Sequence, residues 1–310
     1  MEGRSKLQNQ LQQLVEKNRR WTSKGKVATY IPELGKADPS ILGISVMDMH
    51  GNLYSAGDYK QKFTLQSITK VITLMLAIME RGMEVVFEHV GMEPTGDPFN
   101  SIVKLETTSP SKPLNPMINA GAIAVVSLLE GTPDERVERI LRLIRQMTGN
   151  PNITYNGRVY HSEHQTGDLN RALAFFLRNH GVIHGSVEEH LEVYFKQSSI
   201  EMTTEDVARM GLVIANEGKD IMGKEIIPSS VVKIAKAFMV TCGMYNASGE
   251  FAIRVGIPSK SGVGGGILSV VPGKYGIGVI GPALDDKGNS IAGIKLLEDL
   301  SSIYHLTIFN

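Results

Sequence analysis

Segments with the two-residue periodicity of strands lie at opposite ends of this chain, and the stretch between them carries the periodicity of helices. Near the start, residues 41–58 hold two short apolar segments around Asp48 to Asn52. Gly51 and Asn52 supply turn chemistry there, so a hairpin is expected. After Gly249 three more strands are predicted, at Glu250 to Val255, Gly266 to Val271 and Tyr275 to Ile280. Pro272-Gly273-Lys274 is the turn joining the last two. Strands this far apart in sequence share a sheet only if the chain between them leaves and returns. The expected class is therefore α+β, with one antiparallel five-stranded sheet flanked by helices. Residues 1–82 and 249–310 would form the sheet domain, and 83–248 an inserted helical domain.

The helices read as follows. Ile68, Val71, Ile72, Met75, Ile78 and Met79 make a broad apolar face over residues 67–82, and Arg81-Gly82 gives a C-terminal stop. Further helices are predicted at Ala120 to Glu130, Asp134 to Met147, Leu169 to Asn179, Val187 to Phe195, Thr204 to Asn216 and Ser229 to Val240. Thr132-Pro133 and Thr203-Thr204-Glu205-Asp206 supply start signals. Residues 150–157 form a polar, turn-rich break, and a last helix spans about Ser290 to Tyr304. Leu7, Leu11, Leu14 and Val15 share one face of an N-terminal helix expected to pack on the body of the protein.

Charge and composition exclude several function classes. Thirty-two basic residues balance 32 acidic ones, which argues against a nucleic-acid binder and its usual basic excess. No apolar run approaches the roughly 20 residues of a membrane span. The first residues lack the apolar core and cleavage site of a secretory signal. Cys242 is the single cysteine, so no intrachain disulfide can form, consistent with a reducing, cytoplasmic setting.

Three apparent motifs fail on context. Gly276-Ile-Gly-Val-Ile-Gly281 spells a dinucleotide fingerprint, but it lies inside a strand-like run and no helix follows. Gly262-Val-Gly-Gly-Gly266 lacks the G-K-[ST] ending of a phosphate loop. His161 and His164 are not spaced as a zinc-binding H-E-x-x-H pair and read as ordinary loop histidines.

One constellation has working chemistry. Ser67-Ile-Thr-Lys70 places a hydroxyl and an amine three residues apart at a helix start, on one face. A lysine with a lowered pKa can activate the serine, and the free amides of the helix N-terminus favour a developing oxyanion. Lys260-Ser261-Gly262 heads into the late strand region. Serine β-lactamases and penicillin-binding proteins pair S-x-x-K with K-T-G in this order. Their middle element is missing: the chain has no S-D-N, S-x-N or Y-x-N.

Over about residues 20–305 the chain resembles the serine-dependent glutaminases of bacterial type, which share the β-lactamase-like fold. The resemblance rests on Tyr30-Ile-Pro-Glu-Leu, Leu65-Gln-Ser-Ile-Thr-Lys70, Asn115-Pro-Met-Ile-Asn-Ala-Gly-Ala122, Ser162-Glu163 with Asn170, Cys242-Gly-Met-Tyr-Asn246 and Lys260-Ser-Gly-Val-Gly-Gly-Gly266. It implies hydrolysis of L-glutamine to L-glutamate and ammonia, with no metal or organic cofactor. Ser67 would be the nucleophile, Lys70 its base and Tyr245 a proton relay to the leaving ammonia. The amides of Ser67 and Val263 would form the oxyanion hole. Glu163 would meet the α-ammonium, and Tyr30, Asn119, Asn170 and Tyr194 the α-carboxylate and remaining polar edge. The role of Lys260 stays open. The partners implied are L-glutamine, water and copies of the chain itself, as a homotetramer or homodimer. Two other readings are a penicillin-recognising amidase or esterase using the same dyad, and a non-catalytic interaction protein. The missing second-motif element opposes the first, and the presence of both Ser67 and Lys70 opposes the second.

Overall fold

The computed structural model describes residues 2–102 and 112–309. Strands β1 (Gly43–Asp48) and β2 (Leu53–Gly57) form the expected hairpin. They join β6 (Ser259–Ser261), β7 (Gly266–Val271) and β8 (Tyr275–Ile280) in a five-stranded sheet of order β2-β1-β8-β7-β6, antiparallel throughout. The pairing of β1 with β8, with Ile44 opposite Val279 and Ser45 opposite Gly278, closes the two chain ends into one sheet. A smaller sheet of order β3-β5-β4 joins β3 (Phe63–Thr64), β4 (Thr154–Tyr155) and β5 (Ile200–Met202).

Each face of the large sheet is covered by helices because each presents alternate apolar residues. On one side, α1 (Glu2–Arg19) buries Leu7, Leu11, Leu14 and Val15 against Ile44, Val46, Ile277 and Val279, as its sequence face predicts. The C-terminal helix α12 (Ile291–Tyr304) adds Leu296, Leu297 and Leu300 to the same core.

The other face meets α9 (Thr204–Ala215), which lies within the span 83–248 yet packs directly on the sheet. Here the glycine repeat 276–281 finds its explanation. A Cβ on Gly276 would stand 2.2 Å from Ala208 O, and one on Gly278 2.3 Å from Thr204 O. The glycines let a helix backbone lie against a strand backbone, and no phosphate enters the matter.

The middle of the chain forms helices close to those expected: α4 (Asn119–Ser127), α5 (Pro133–Thr148), α7 (Asp168–Asn179), α8 (Val187–Ser198) and α10 (Ser229–Thr241). A capping box at Thr132 and Glu135 opens α5, and a second at Thr203 and Asp206 opens α9. A short helix, α3 (Met83–His89), follows α2 (Thr69–Arg81). Every residue of α2 from Thr69 to Ile78 is buried, so this helix runs through the core as an internal pillar. Among the described residues no helix is long and apolar enough to cross a membrane.

Two segments differ from expectation. The predicted strand Glu250 to Val255 is instead part of α11 (Ser248–Arg254) and its end. Phe251, Ile253 and Val255 alternate in sequence, but only Phe251 and Val255, four apart, enter the core. Ile253 is 89% exposed. The third C-terminal strand is β6, whose Ser-Lys-Ser sequence carries no apolar alternation to reveal it. Beyond the predicted break at 150–157, where no helix is predicted and His161 and His164 are expected on a loop, the chain forms α6 (Gly157–Gln165), which takes its start from the Asn156 side chain accepting from Arg158 N and Val159 N.

Leu11, on α1, is fully buried against the sheet, in a different apolar cluster from the residues of α2. Leu11→Ala is expected to cost about 2–5 kcal/mol of stability through the cavity it opens. The measurement is the urea midpoint, with activity in native buffer unchanged. A loss under about 1 kcal/mol would mean that α1 does not pack as described.

Candidate active site

The nucleophile segment is held from both sides by backbone. On one side Leu65 N donates to Ile200 O at 2.8 Å, extending the β3–β5 pairing. On the other lies the glycine run after β6. A Cβ on Gly262 would sit 2.4 Å from Leu65 O, and one on Gly264 2.8 Å from Thr64 O. Any other residue at either position would push the segment away. Gln66 then turns the chain with φ of +50°, in the left-handed region, and Ser67 and Ile68 complete a 3₁₀ turn that runs into α2. A strained residue fixed by its surroundings is a common mark of a functional site, and here it immediately precedes Ser67.

Lys70, the second residue of α2, lies one turn on from Ser67 and is buried. Its Nζ donates to Asn119 Oδ1 at 2.7 Å and to Met117 O at 3.1 Å. Burial pulls its pKa down to about 7, against the opposing pull of the Glu163 carboxylate. A neutral amine has two hydrogens and one lone pair. Those two acceptors can take both hydrogens and leave the lone pair for the Ser67 hydroxyl.

Asn119, first residue of α4, donates its amide to Asn170 Oδ1 at 3.0 Å. Because Lys70 holds its oxygen, the side chain has one orientation only. Glu163 projects from α6 and is buried. Burial pushes its carboxyl up to about 8, opposed by a hydrogen bond from Gln66 and by the charge of Lys70. Its Oε2 has no hydrogen-bond partner among the described residues. A buried oxygen without a partner is costly, and a cationic ligand group is one remedy.

Tyr245 is buried beside Ser67, close enough for the serine hydroxyl to favour its ionised form, and Tyr245 Oη donates to Ser261 O at 3.2 Å. Burial raises the Tyr245 pKa. Its ring packs on Phe99, with centroids 4.5 Å apart, and beneath Lys260, whose Nζ is 4.5 Å from the ring centre. Lys260 is fully buried and donates to Gly243 O at 3.1 Å and Ser261 O at 2.7 Å. Burial first, then the charge of Lys70, drives its pKa well down. Burial and the Glu163 carboxylate together push the Tyr194 hydroxyl up.

A cavity of about 80 Å³ opens above this cluster. Seven of the residues named from sequence line it: Tyr30, Ser67, Asn119, Glu163, Asn170, Tyr194 and Val263. Lys70 and Tyr245 stand behind Ser67 and are not on its wall. Tyr30 sits at the mouth, 55% exposed. Among the described residues the Val263 amide has no hydrogen-bond acceptor, and Ser67 N lies in the 3₁₀ turn that opens onto the cavity. Gln66, Phe99 and Asn100 also line the cavity and were not singled out beforehand. Gln66 stands next to the serine in the quoted Leu65–Lys70 run. Phe99 and Asn100 carry no sequence signal.

The described residues include no cluster of three or more His, Cys, Asp or Glu able to hold a metal ion. His161 and His164, expected on a loop, lie in α6 and make ring contacts with Tyr160.

This α+β fold, with a serine and a buried lysine under a small polar cavity, is that of an amidohydrolase. The chain belongs to the glutaminase family, whose sequence model matches residues 25–309. It is 55% identical over 305 residues to a glutaminase of Alkaliphilus metalliredigens, covering 98% of this chain and 100% of that one. A Clostridium tetani glutaminase is 56% identical over the same length, again covering 98% and 100% of the two chains. Among solved structures, a probable glutaminase from Bacillus subtilis complexed with 6-diazo-5-oxo-L-norleucine superposes with a TM-score of 0.89 at 42% identity. The match covers 97% of this chain and 96% of that one. Another structure records the covalent complex of the Bacillus subtilis glutaminase with 5-oxo-L-norleucine formed by reaction with that compound. It matches at TM-score 0.87 and 41% identity, over 97% of this chain and 99% of that one.

Gly262→Ala places a methyl group against Leu65 O, 2.4 Å away, and must shift the nucleophile segment or the glycine loop. The expected result is a fall in kcat of at least about tenfold, with a stability loss of about 1–3 kcal/mol. Gly249→Ala, in open space on α11, is the control and should change neither. Steady-state kinetics and thermal melting of the two variants decide it.

Proposed function

We propose that this protein hydrolyses the side-chain amide of L-glutamine to L-glutamate and ammonia through an acyl-enzyme on Ser67. The observation that carries the reading is the buried Ser67–Lys70–Tyr245 cluster beneath a cavity that holds the unpartnered carboxylate oxygen of Glu163. Covalent capture of an electrophilic glutamine analogue by the Bacillus subtilis relative supports it.

Lys70, neutral, takes the Ser67 proton as Oγ attacks the amide carbon. The developing oxyanion lies between the Ser67 and Val263 amides, donors held in place by the folded backbone. Tyr245 passes a proton to the amide nitrogen, the C–N bond breaks and ammonia leaves. Water then attacks the Ser67 ester, the proton returns through the same groups, and glutamate is released. Glu163 meets the α-ammonium, which compensates its own burial as well as the ligand's. Asn119, Asn170, Tyr30 and Tyr194 receive the α-carboxylate and the polar edge. Asn119 thereby touches both the substrate and the general base, so binding and proton transfer share one hydrogen-bond chain.

The same reading makes the protein a cytoplasmic homo-oligomer, tetramer or dimer, with residues 83–248 as an inserted helical domain. The buried free thiol of Cys242 and the strongly exposed Met222 and Ile253 support the first part. No reaction step uses a metal or organic cofactor.

Ser67→Ala removes one oxygen from a buried position and leaves the helix start intact. Ammonia release from L-glutamine is expected to fall at least about 1000-fold while the thermal transition persists. Activity within about tenfold of the native protein would overturn the nucleophile.

The base sets the pH dependence. Lys70 must be neutral, and that form grows above its lowered pKa of about 7. At saturating glutamine, where the α-ammonium keeps Glu163 ionised, kcat should therefore fall as pH drops through about 7, by about tenfold per unit below it. A profile flat from pH 5.5 to 8 would exclude Lys70 as base.

A further inference from the structure

Tyr245 holds a backbone conformation that its side chain disfavours. Its φ is +54°, one of four positive values among described non-glycine residues, and it is the only aromatic ring of the four apart from the imidazole of His305. A bulky residue remains in the left-handed region only when its surroundings prevent relaxation. Here the surroundings are specific. Ser248 Oγ accepts from Met244 N at 3.0 Å and donates to Tyr245 O at 2.9 Å, so one hydroxyl ties together the groups on either side of the strained residue. Asn289 Nδ2 donates to Met244 O at 3.3 Å, the same carbonyl that accepts from Ala247 N at 3.0 Å. Ser248 is 6% exposed and Asn289 fully buried, so solvent is not at hand to replace a lost partner.

We infer that Ser248 is a positioning residue for the hydrolysis, acting through Tyr245 by holding its backbone where the phenol reaches Ser67. Ser248 does not line the cavity and touches no reacting group. Its effect runs through direction. The Cα–Cβ bond of Tyr245 points at the Ser67 side of the site only while φ is positive. At its far end the side chain is fixed by Ser261 O, Phe99 and Lys260. Without the Ser248 hydroxyl, Met244 N–H and Tyr245 C=O are buried without that partner, and residues 244–247 can relax towards negative φ. The phenol would then leave the serine while the cavity wall, made by other segments, stays in place. The inference rests on the proton-relay role of Tyr245, and its test must separate the two.

The experiment compares four proteins in ammonia release from L-glutamine: native, Ser248→Ala, Tyr245→Phe and the double variant. Ser248→Ala should lower kcat by about 10- to 100-fold with KM within about threefold, because the phenol moves and the binding groups do not. Added to Tyr245→Phe, the same change should alter kcat less than about twofold, since residues acting as one unit do not lose rate independently. Ser248→Cys, close in size with a weaker hydrogen-bonding group, should fold and fall between native and alanine. Ser301→Ala removes another buried serine hydroxyl, one that donates to Val255 O at 2.6 Å, and should lower the melting temperature with kcat unchanged. If Tyr245→Phe is impaired and Ser248→Ala still imposes its full loss on top, the Ser248 inference is overturned and the Tyr245 role stands. If Tyr245→Phe keeps native kcat, the relay role falls and the inference with it. A rise in KM with kcat intact overturns the inference alone.

Discussion

The site depends on a contact between two stretches of backbone. The carbonyls of Thr64 and Leu65 occupy the space where side chains of residues 264 and 262 would begin. Only glycine permits this approach, and the approach brings the edge strand β6 and its following loop against the nucleophile segment. Ser67 and Val263, one from each stretch, line the same cavity for that reason. The sheet's own closure, through pairing of β1 with β8, fixes how far the C-terminal strands can move relative to the helix start.

Around that contact the protein encloses three ionisable side chains. Lys70, Lys260 and Glu163 are buried within one cluster, and burial disfavours the charge on each. Taking charges out of water without full compensation costs stability. Lys260 is compensated by two carbonyls and a tyrosine ring, whereas Glu163 keeps an oxygen without a partner. The lysine lacking a carboxylate contact is thereby suited to a fixed, packing role, and the acid with a spare oxygen to a ligand. Left-handed backbone at Gln66 and Tyr245 adds strain on both sides of Ser67. The reacting groups are thus aimed by a frame that is stable elsewhere, in the apolar cores on the two faces of the sheet.

Much of this was legible before any coordinates. Apolar periodicity marked α1, α2 and the central helices. The hairpin and the last two strands follow from alternation and turn residues, and Ser67 and Lys70 from S-x-x-K taken together with Lys260-Ser261-Gly262 and the glutaminase motifs. The strand β6 was not marked, because Ser-Lys-Ser is buried by position and has no apolar pattern. The helix α11 resembles a strand in sequence because Phe251, Ile253 and Val255 alternate, while only Phe251 and Val255, four apart, share its buried face. The helix α6 has few apolar residues, so its acid resembled a loop side chain. Phe99 and Asn100 reach the cavity from an irregular segment with no periodicity at all.

The sequence by itself determined the class of fold, the serine and lysine on one helix face, and the glycines that a close approach demands. Those are local properties, set by side-chain spacing, backbone freedom and polarity over a few residues. Tertiary structure alone decided that residues 67, 119, 163 and 245 converge. It also decided which way Lys70 points its lone pair, and that the glycines of residues 276–281 serve helix packing while those of 262–266 serve the site. The physical reason is that burial and hydrogen-bond partnership are properties of the assembled chain. A lysine amine near pH 7, a carboxylate oxygen without a partner and a tyrosine held at positive φ exist only once distant segments have closed around them.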